Sequence, residues 1–157
     1  MNNLQFPKIS LGHFPTPLEP MTGLTTQLNG PQIFVKRDDC TGLAMGGNKT
    51  RKLEYLMADA IAQKADVIVT TGGIQSNHVR QTAAAACRLG LPCVAVLEEP
   101  DFTPDAAFRN NGNLLLDACV NGACPNGSEN ECRGAVFEVQ FKAVRARDAG
   151  LPAFECP

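Results

Sequence analysis

Asp66-Val-Ile-Val-Thr-Thr-Gly72-Gly73-Ile-Gln75-Ser76-Asn77-His78 is the stretch on which the fold turns. A β-branched run ends on two glycines, and Ser76 or Asn77 then stands where a helix needs its first cap. An Ala-rich run follows through Ala83 to Leu89 and stops at Gly90, the pattern of a helix with a glycine at its end. Residues 93–97 are apolar and β-branched again, so the next element is a strand. Upstream, Leu53, Leu56, Met57, Ala60 and Ile61 recur at helical spacing, which predicts a helix from Asn48 to near Lys64. A short β-rich run at residues 33–36 precedes it. The order strand, helix, strand, helix, strand with short links predicts an α/β fold. It implies a parallel sheet with right-handed crossovers and helices on both faces.

Outside this frame the pattern is looser. Residues 1–32 carry five of the chain's prolines and read as an extended lead-in with at most a short helix at residues 21–28. Residues 113–119 fit a helix, residues 121–134 a Gly-, Asn- and Cys-rich loop, residues 140–148 a helix closed by Gly150, and residues 151–156 the start of a strand. The chain therefore divides into a lead-in and first strand (1–45) and a small, incomplete α/β domain (46–157).

Composition narrows the function. Hydrophobic residues make up 44% of the 157 and charged residues 19%, the balance of a globular chain with a real core. Net charge is -2, which favours neither nucleic acid nor an anionic membrane surface. The most apolar region, residues 83–97, is interrupted by Arg88 and Pro92 and cannot span a bilayer. The first ten residues have no signal-peptide character. The expectation is a cytoplasmic protein with no membrane or nucleic-acid partner. The seven cysteines include no Cys-x-x-Cys pair and have no histidine beside them, so no metal site is assigned.

Chemistry concentrates in two loops. The first is Gly42-Leu-Ala-Met-Gly46-Gly47-Asn48-Lys49-Thr50-Arg51-Lys52-Leu53-Glu54. Gly42 and Gly47 have the separation of a phosphate-binding Walker loop, but Asn48 pushes Lys49 one position too far, and the register that wraps a triphosphate is lost. What remains is a lysine in the first turn of a helix behind two glycines. The positive end of the helix dipole and the like charges of Arg51 and Lys52 both disfavour its ammonium form. A neutral amine attacks an aldehyde, and Gly46 and Gly47 let backbone approach a flat ring. The plainer reading is a solvated lysine at a helix start. The second loop, Thr70 to His78, follows the carboxyl end of a strand, where open α/β sheets bind ligands. Free N–H groups there suit a carboxylate, Ser76 and Asn77 add a hydroxyl and an amide, and His78 adds a proton carrier. The plainer reading is a Ser76 cap beside a surface imidazole.

Three ordered stretches carry a resemblance. They are Lys36-Arg-Asp-Asp39, Gly46-Gly-Asn-Lys-Thr-Arg-Lys-Leu-Glu54 and Gln75-Ser-Asn-His-Val-Arg-Gln-Thr-Ala-Ala84, with Pro15-Thr-Pro-Leu18 ahead of them. Together they resemble the D-cysteine desulfhydrase group of the type II (tryptophan-synthase-β-like) pyridoxal-phosphate enzymes, over roughly residues 5–117. That group also holds aminocyclopropane-carboxylate (ACC) deaminase and L-cysteate sulfo-lyase. The resemblance implies that Lys49 forms a covalent aldimine with pyridoxal 5'-phosphate. It implies that Asn48 and Asn77 help bind the cofactor, Asn77 at its phenolic oxygen. Ser76, Asn77 and His78 would face an amino-acid substrate's carboxylate, with Lys49 and Ser76 catalytic. His78 stands where the deaminase usually has Gln, which favours the cysteine or cysteate branch. The family's chains are about twice as long and commonly form homodimers. A phosphate-holding glycine loop and the tyrosines credited with substrate chemistry are expected beyond residue 157, so the sequence reads as a truncated enzyme with little activity of its own. A non-catalytic remnant is the reading of another class.

Overall fold

The structure of the chain, a computed structural model, describes residues 6–98, 105–120, 139–140 and 154–155. The lead-in is more ordered than its prolines suggest. Strand β1 (Leu18–Pro20) runs antiparallel to β2 (Phe34–Lys36), with helix α1 (Thr22–Leu28) between them. The first expected strand therefore does not join the parallel sheet. A three-residue strand with alternate side chains exposed has too little apolar surface for a sheet interior, and it pairs instead with the nearest extended segment. Two 3-10 turns, Asp38–Thr41 and Leu43–Met45, carry the chain to α2 (Lys49–Ala62).

The main sheet has the order β5-β4-β3-β6, and all its pairings are parallel. Its centre is β3 (Ile68–Gly73) beside β4 (Cys93–Glu98), linked by α3 (Asn77–Arg88). The flanking strands are β5 (Val139–Gln140) and β6 (Phe154–Glu155). Gln140 is thus strand where the sequence pattern predicted the start of a helix. Its register against Val96 lets it complete an edge that local propensity does not see. The rest of that expected helix and the loop at residues 121–134 lie outside the described residues. Beyond β4, α4 (Ala106–Arg109) and α5 (Gly112–Val120) follow, the latter close to the expected 113–119.

Helix α3 is the hub. It packs against α2, α5, β3 and β4, and every residue from Val79 to Ala86 is buried. Ala83 to Ala86 keep the helix thin enough for this, and with Leu53, Met57, Ala60, Ile68 and Cys93 they form the main core. A helix buried on all sides needs partners for each polar side chain it carries. Arg80, Gln81 and Thr82 are such side chains, and their partners lie in the two loops. The sheet face carrying Ile68, Thr70, Cys93, Ala95 and Leu97 is closed, while Val69, Val94 and Val96 on the other face are half-buried.

The lead-in is hooked to α2 through one carboxylate. Buried Glu54 accepts from the N–H groups of Leu11 (2.9 Å) and Gly12 (3.2 Å) and pairs with Lys8 at 2.8 Å. Burial alone would raise its pKa, but Lys8 and the two N–H groups outweigh it and hold the carboxyl below its usual value.

Candidate active site

Lys49 is the first residue of α2 and is half-buried. Asn48 precedes it as the N-cap but makes no side-chain capping bond, because its Oδ1 accepts from Asn77 Nδ2 at 3.2 Å. That bond joins the first loop to the second across the front of α3. Two residues singled out in separate motifs thus touch. One Nδ2 proton of Asn77 is left for another acceptor.

Gln81, fully buried, fastens the start of α2. Its Oε1 accepts from Thr50 N–H and Thr50 Oγ1, both at 2.9 Å, and its Nε2 donates to the Asn77 carbonyl at 3.1 Å. Thr41 closes the loop from the other side, accepting from Gly47 N–H at 2.8 Å and donating to Gly47 O at 2.9 Å. A Cβ at Gly47 would overlap the Gln81 amide, so this glycine serves a close approach as well as a positive φ of 143°. The charge picture differs from the sequence expectation in one respect. Arg51 is matched by Asp38 through two bonds of 2.7 and 2.6 Å, and this holds the Asp38 carboxyl below its usual range. Its like charge therefore acts on Lys49 far less than an unpaired guanidinium would.

Ser76 is the N-cap of α3, its Oγ accepting from Val79 N–H at 3.4 Å. The cap uses an oxygen lone pair, and the hydroxyl proton remains available to donate. His78 is half-buried, with Nδ1 3.3 Å from Thr82 Oγ1 and Nε2 3.4 Å from Thr70 Oγ1. Thr82 Oγ1 already donates to the His78 carbonyl, so it accepts from Nδ1–H. Both hydroxyls are buried, which turns the imidazole toward the sheet, while the bond between the two loops runs through Asn48 and Asn77.

Sequence reasoning assigned no role to Arg80, although the motif contained it. The residue is 7% exposed, and its guanidinium donates to the Ala44 carbonyl, to Gly46 O at 3.1 Å and to Asn113 Oδ1 at 2.5 Å. Nearby Asp117 on α5 is 1% exposed, and neither carboxylate oxygen has a hydrogen-bond partner. Burial raises the Asp117 pKa from 3.8 to about 7, against the opposing pull of Arg80. The folded chain therefore holds a proton that the unfolded chain releases between about pH 4 and pH 7. This group's contribution to stability is greatest below pH 4, falls as pH rises through that window, and is flat above it. The expected slope approaches ~1.4 kcal/mol per pH unit at its steepest. Denaturant melts of the wild type and of Asp117→Asn between pH 5 and 8 check this; the variant should lose that component of the slope.

A cleft of about 580 Å³ is lined by Lys8, Phe14, Pro15, Lys36, Arg51, Glu54 and Tyr55. Of the segment from Lys49 to His78 it is lined only by Arg51, Glu54 and Tyr55, and by none of Lys49, Ser76, Asn77 and His78. Its cations all have partners, Lys8 on Glu54, Arg51 on Asp38 and Lys36 on the Thr16 carbonyl. It is not the site that the two loops form.

A helix start and the loop after a parallel strand, bridged by Asn48 and Asn77, make an α/β unit of the open-sheet kind, in which ligands bind at the carboxyl ends of the strands. Comparison with known proteins gives its family. Residues 9–118 match the model described as "Pyridoxal-phosphate dependent enzyme", and the chain belongs to that family. It is 57% identical over 117 residues to a D-cysteine desulfhydrase of Serratia proteamaculans, covering 74% of this chain and 35% of the relative. A D-cysteine desulfhydrase of Klebsiella pneumoniae is 56% identical over 115 residues, at 73% and 35% coverage. A solved structure of an ACC deaminase homologue superposes with a TM-score of 0.65 at 33% identity, over 88% of this chain and 37% of that one. The chain thus spans about a third of the length of the curated relatives it matches. Among the described residues no helix is long and apolar enough to cross a membrane.

The residues present fit the cofactor. Lys49 offers an amine able to bond an aldehyde, Asn77, tied to the neighbouring Asn48, keeps one amide proton, and a Cβ built on Gly73 at the end of β3 would meet nothing within 4 Å.

Proposed function

We propose that this chain carries the lysine-bearing part of a carbon–sulfur lyase that converts D-cysteine to pyruvate, sulfide and ammonia. The reading is supported by the identity of 56–57% to D-cysteine desulfhydrases through both loops. The observation that supports the site is the Asn48–Asn77 bond, which ties the residue before Lys49 to the second loop. In this reading Lys49 holds pyridoxal phosphate covalently, with Asn48 and Asn77 beside it. Bound there, the cofactor supplies an electron sink that acidifies the substrate α-carbon. Lys49 Nζ would also serve as the general base for the substrate α-proton. Ser76, with its oxygen fixed by the cap, donates its hydroxyl proton to the substrate carboxylate. The N–H groups at the start of α3 face the same anion. His78 takes part by exchanging one threonine partner for substrate. The lead-in (1–45) and the α/β domain (46–157) together form the cofactor-binding part, in a cytoplasmic enzyme that works as a homodimer.

The test is substrate choice. With added pyridoxal phosphate, the chain, and a full-length relative carrying the same two loops, are assayed for sulfide and pyruvate from D-cysteine. Sulfite from L-cysteate and ammonia from aminocyclopropane-carboxylate are measured alongside. Sulfide from D-cysteine in the relative, above the other two activities, is expected. Dominant turnover of L-cysteate or of aminocyclopropane-carboxylate would move the substrate to that branch. Turnover by the relative with none by the chain would make the chain a non-catalytic binder of the cofactor.

A further inference from the structure

The segment before Lys49 has a backbone it cannot hold alone. Ala44, Met45, Gly46 and Gly47 all sit at positive φ, at 45°, 69°, 78° and 143°. Two of them carry side chains that disfavour this region, and such runs persist only where the surroundings over-determine them. Thr41 and Gln81 hold the Gly47 end. The carbonyls at the other end, Ala44 and Gly46, both accept from Arg80. A guanidinium presents its donors in a rigid planar fork, so gripping two carbonyls fixes the direction of the loop as well as its distance. The third acceptor, Asn113 Oδ1, belongs to an amide that is itself tied to the second loop. Asn113 N–H donates to Gln75 Oε1 at 2.9 Å and Asn113 Nδ2 to Gln75 O at 2.7 Å. Arg80 therefore stands between the loop that ends at Lys49 and the loop that opens at Gln75.

We propose that Arg80 is the positioning residue of the lysine loop, its guanidinium setting the strained 44–47 backbone against the Gln75–Asn77 loop so that Lys49 is presented to the cofactor. The proposal rests on the reading of Lys49 as the cofactor-bonding residue. Nearby Asp117 takes none of the guanidinium's hydrogen bonds, which leaves them to the two loops and to Asn113. Lysine at position 80 keeps the charge and loses the fork.

The experiment compares wild type with Arg80→Lys in two measurements. Hydrogen exchange of the cofactor-free chain reads residues 42–48 against the α3 and β4 amides. Borohydride fixation with pyridoxal phosphate, followed by peptide mapping, reads the share of label on Lys49 against Lys8, Lys36, Lys52 and Lys64. For Arg80→Lys we expect loop exchange to rise by about tenfold with α3 and β4 protection unchanged. The preference for Lys49 should fall toward that of the other lysines. An unchanged loop and an unchanged preference would overturn the proposal, and so would uniform loss of protection, which marks a packing role only. Should Arg80→Lys not fold, Asn113→Ser removes one acceptor of the fork without altering α3. A smaller rise in loop exchange is then expected, and no rise overturns the proposal. If the wild type itself shows no preference for Lys49, the cofactor reading fails, and the exchange data alone decide whether Arg80 holds the loop.

Discussion

Replacing Lys49 by alanine is expected to abolish covalent attachment of pyridoxal phosphate at this position. The position is specific for physical reasons. Lys49 is half-buried at the first residue of α2, next to the Asn48–Asn77 bond, whereas Lys8 is paired with Glu54 and Lys36 with the Thr16 carbonyl. In a full-length relative the matching substitution removes both the covalent attachment and the base, and should lower turnover by at least about 10³-fold, the upper range for a lost general base. The check is mass spectrometry of the borohydride-reduced protein for the first and initial rates for the second. Persistence of the yellow colour and of turnover would end the assignment of Lys49. Lys49→Arg separates charge from chemistry, because a guanidinium keeps the positive charge but has no free amine to condense; it should behave as alanine does.

Gly46→Ala is expected to be among the most destabilising single substitutions in the chain. Gly46 has φ +78°, and a Cβ there would run into the backbone carbonyl of Asp39. Positive φ costs alanine on the order of 1–3 kcal/mol, and a clash with backbone rather than a side-chain tip adds a similar amount, so roughly 3–5 kcal/mol is at stake. That is a large part of the stability of a domain of this size, and a melting midpoint lower by roughly 10 °C is expected. Gly23→Ala is the control, since a Cβ there meets nothing within 4 Å and its backbone is helical. It should change stability by no more than about 1 kcal/mol. A Gly46→Ala protein as stable as the control would mean that the loop is not held as described, and the grip of Arg80 and Thr41 on it would be in doubt.

Much of this was written into local sequence. Alternating apolar periods and their punctuating glycines located α2, β3, α3 and β4 within a few residues, because each is decided by neighbours along the chain. The two candidate loops were legible for the same reason, since a lysine behind two glycines and a capping serine after two more are local patterns. Three ordered motifs also resembled one cofactor family, and the family match over residues 9–118 agrees. Tertiary structure alone decided the rest. It sent the first expected strand into a hairpin with Leu18–Pro20 and gave Gln140 to the sheet, because strand partners are chosen by surface and register. It neutralised Arg51 with Asp38 and turned His78 toward Thr70 and Thr82. It also made Arg80 and Gln81 the residues that hold the lysine loop. Nothing in their own neighbourhood in the sequence announces that role, because a buried polar side chain takes its meaning from whichever distant donors and acceptors the packing brings to it.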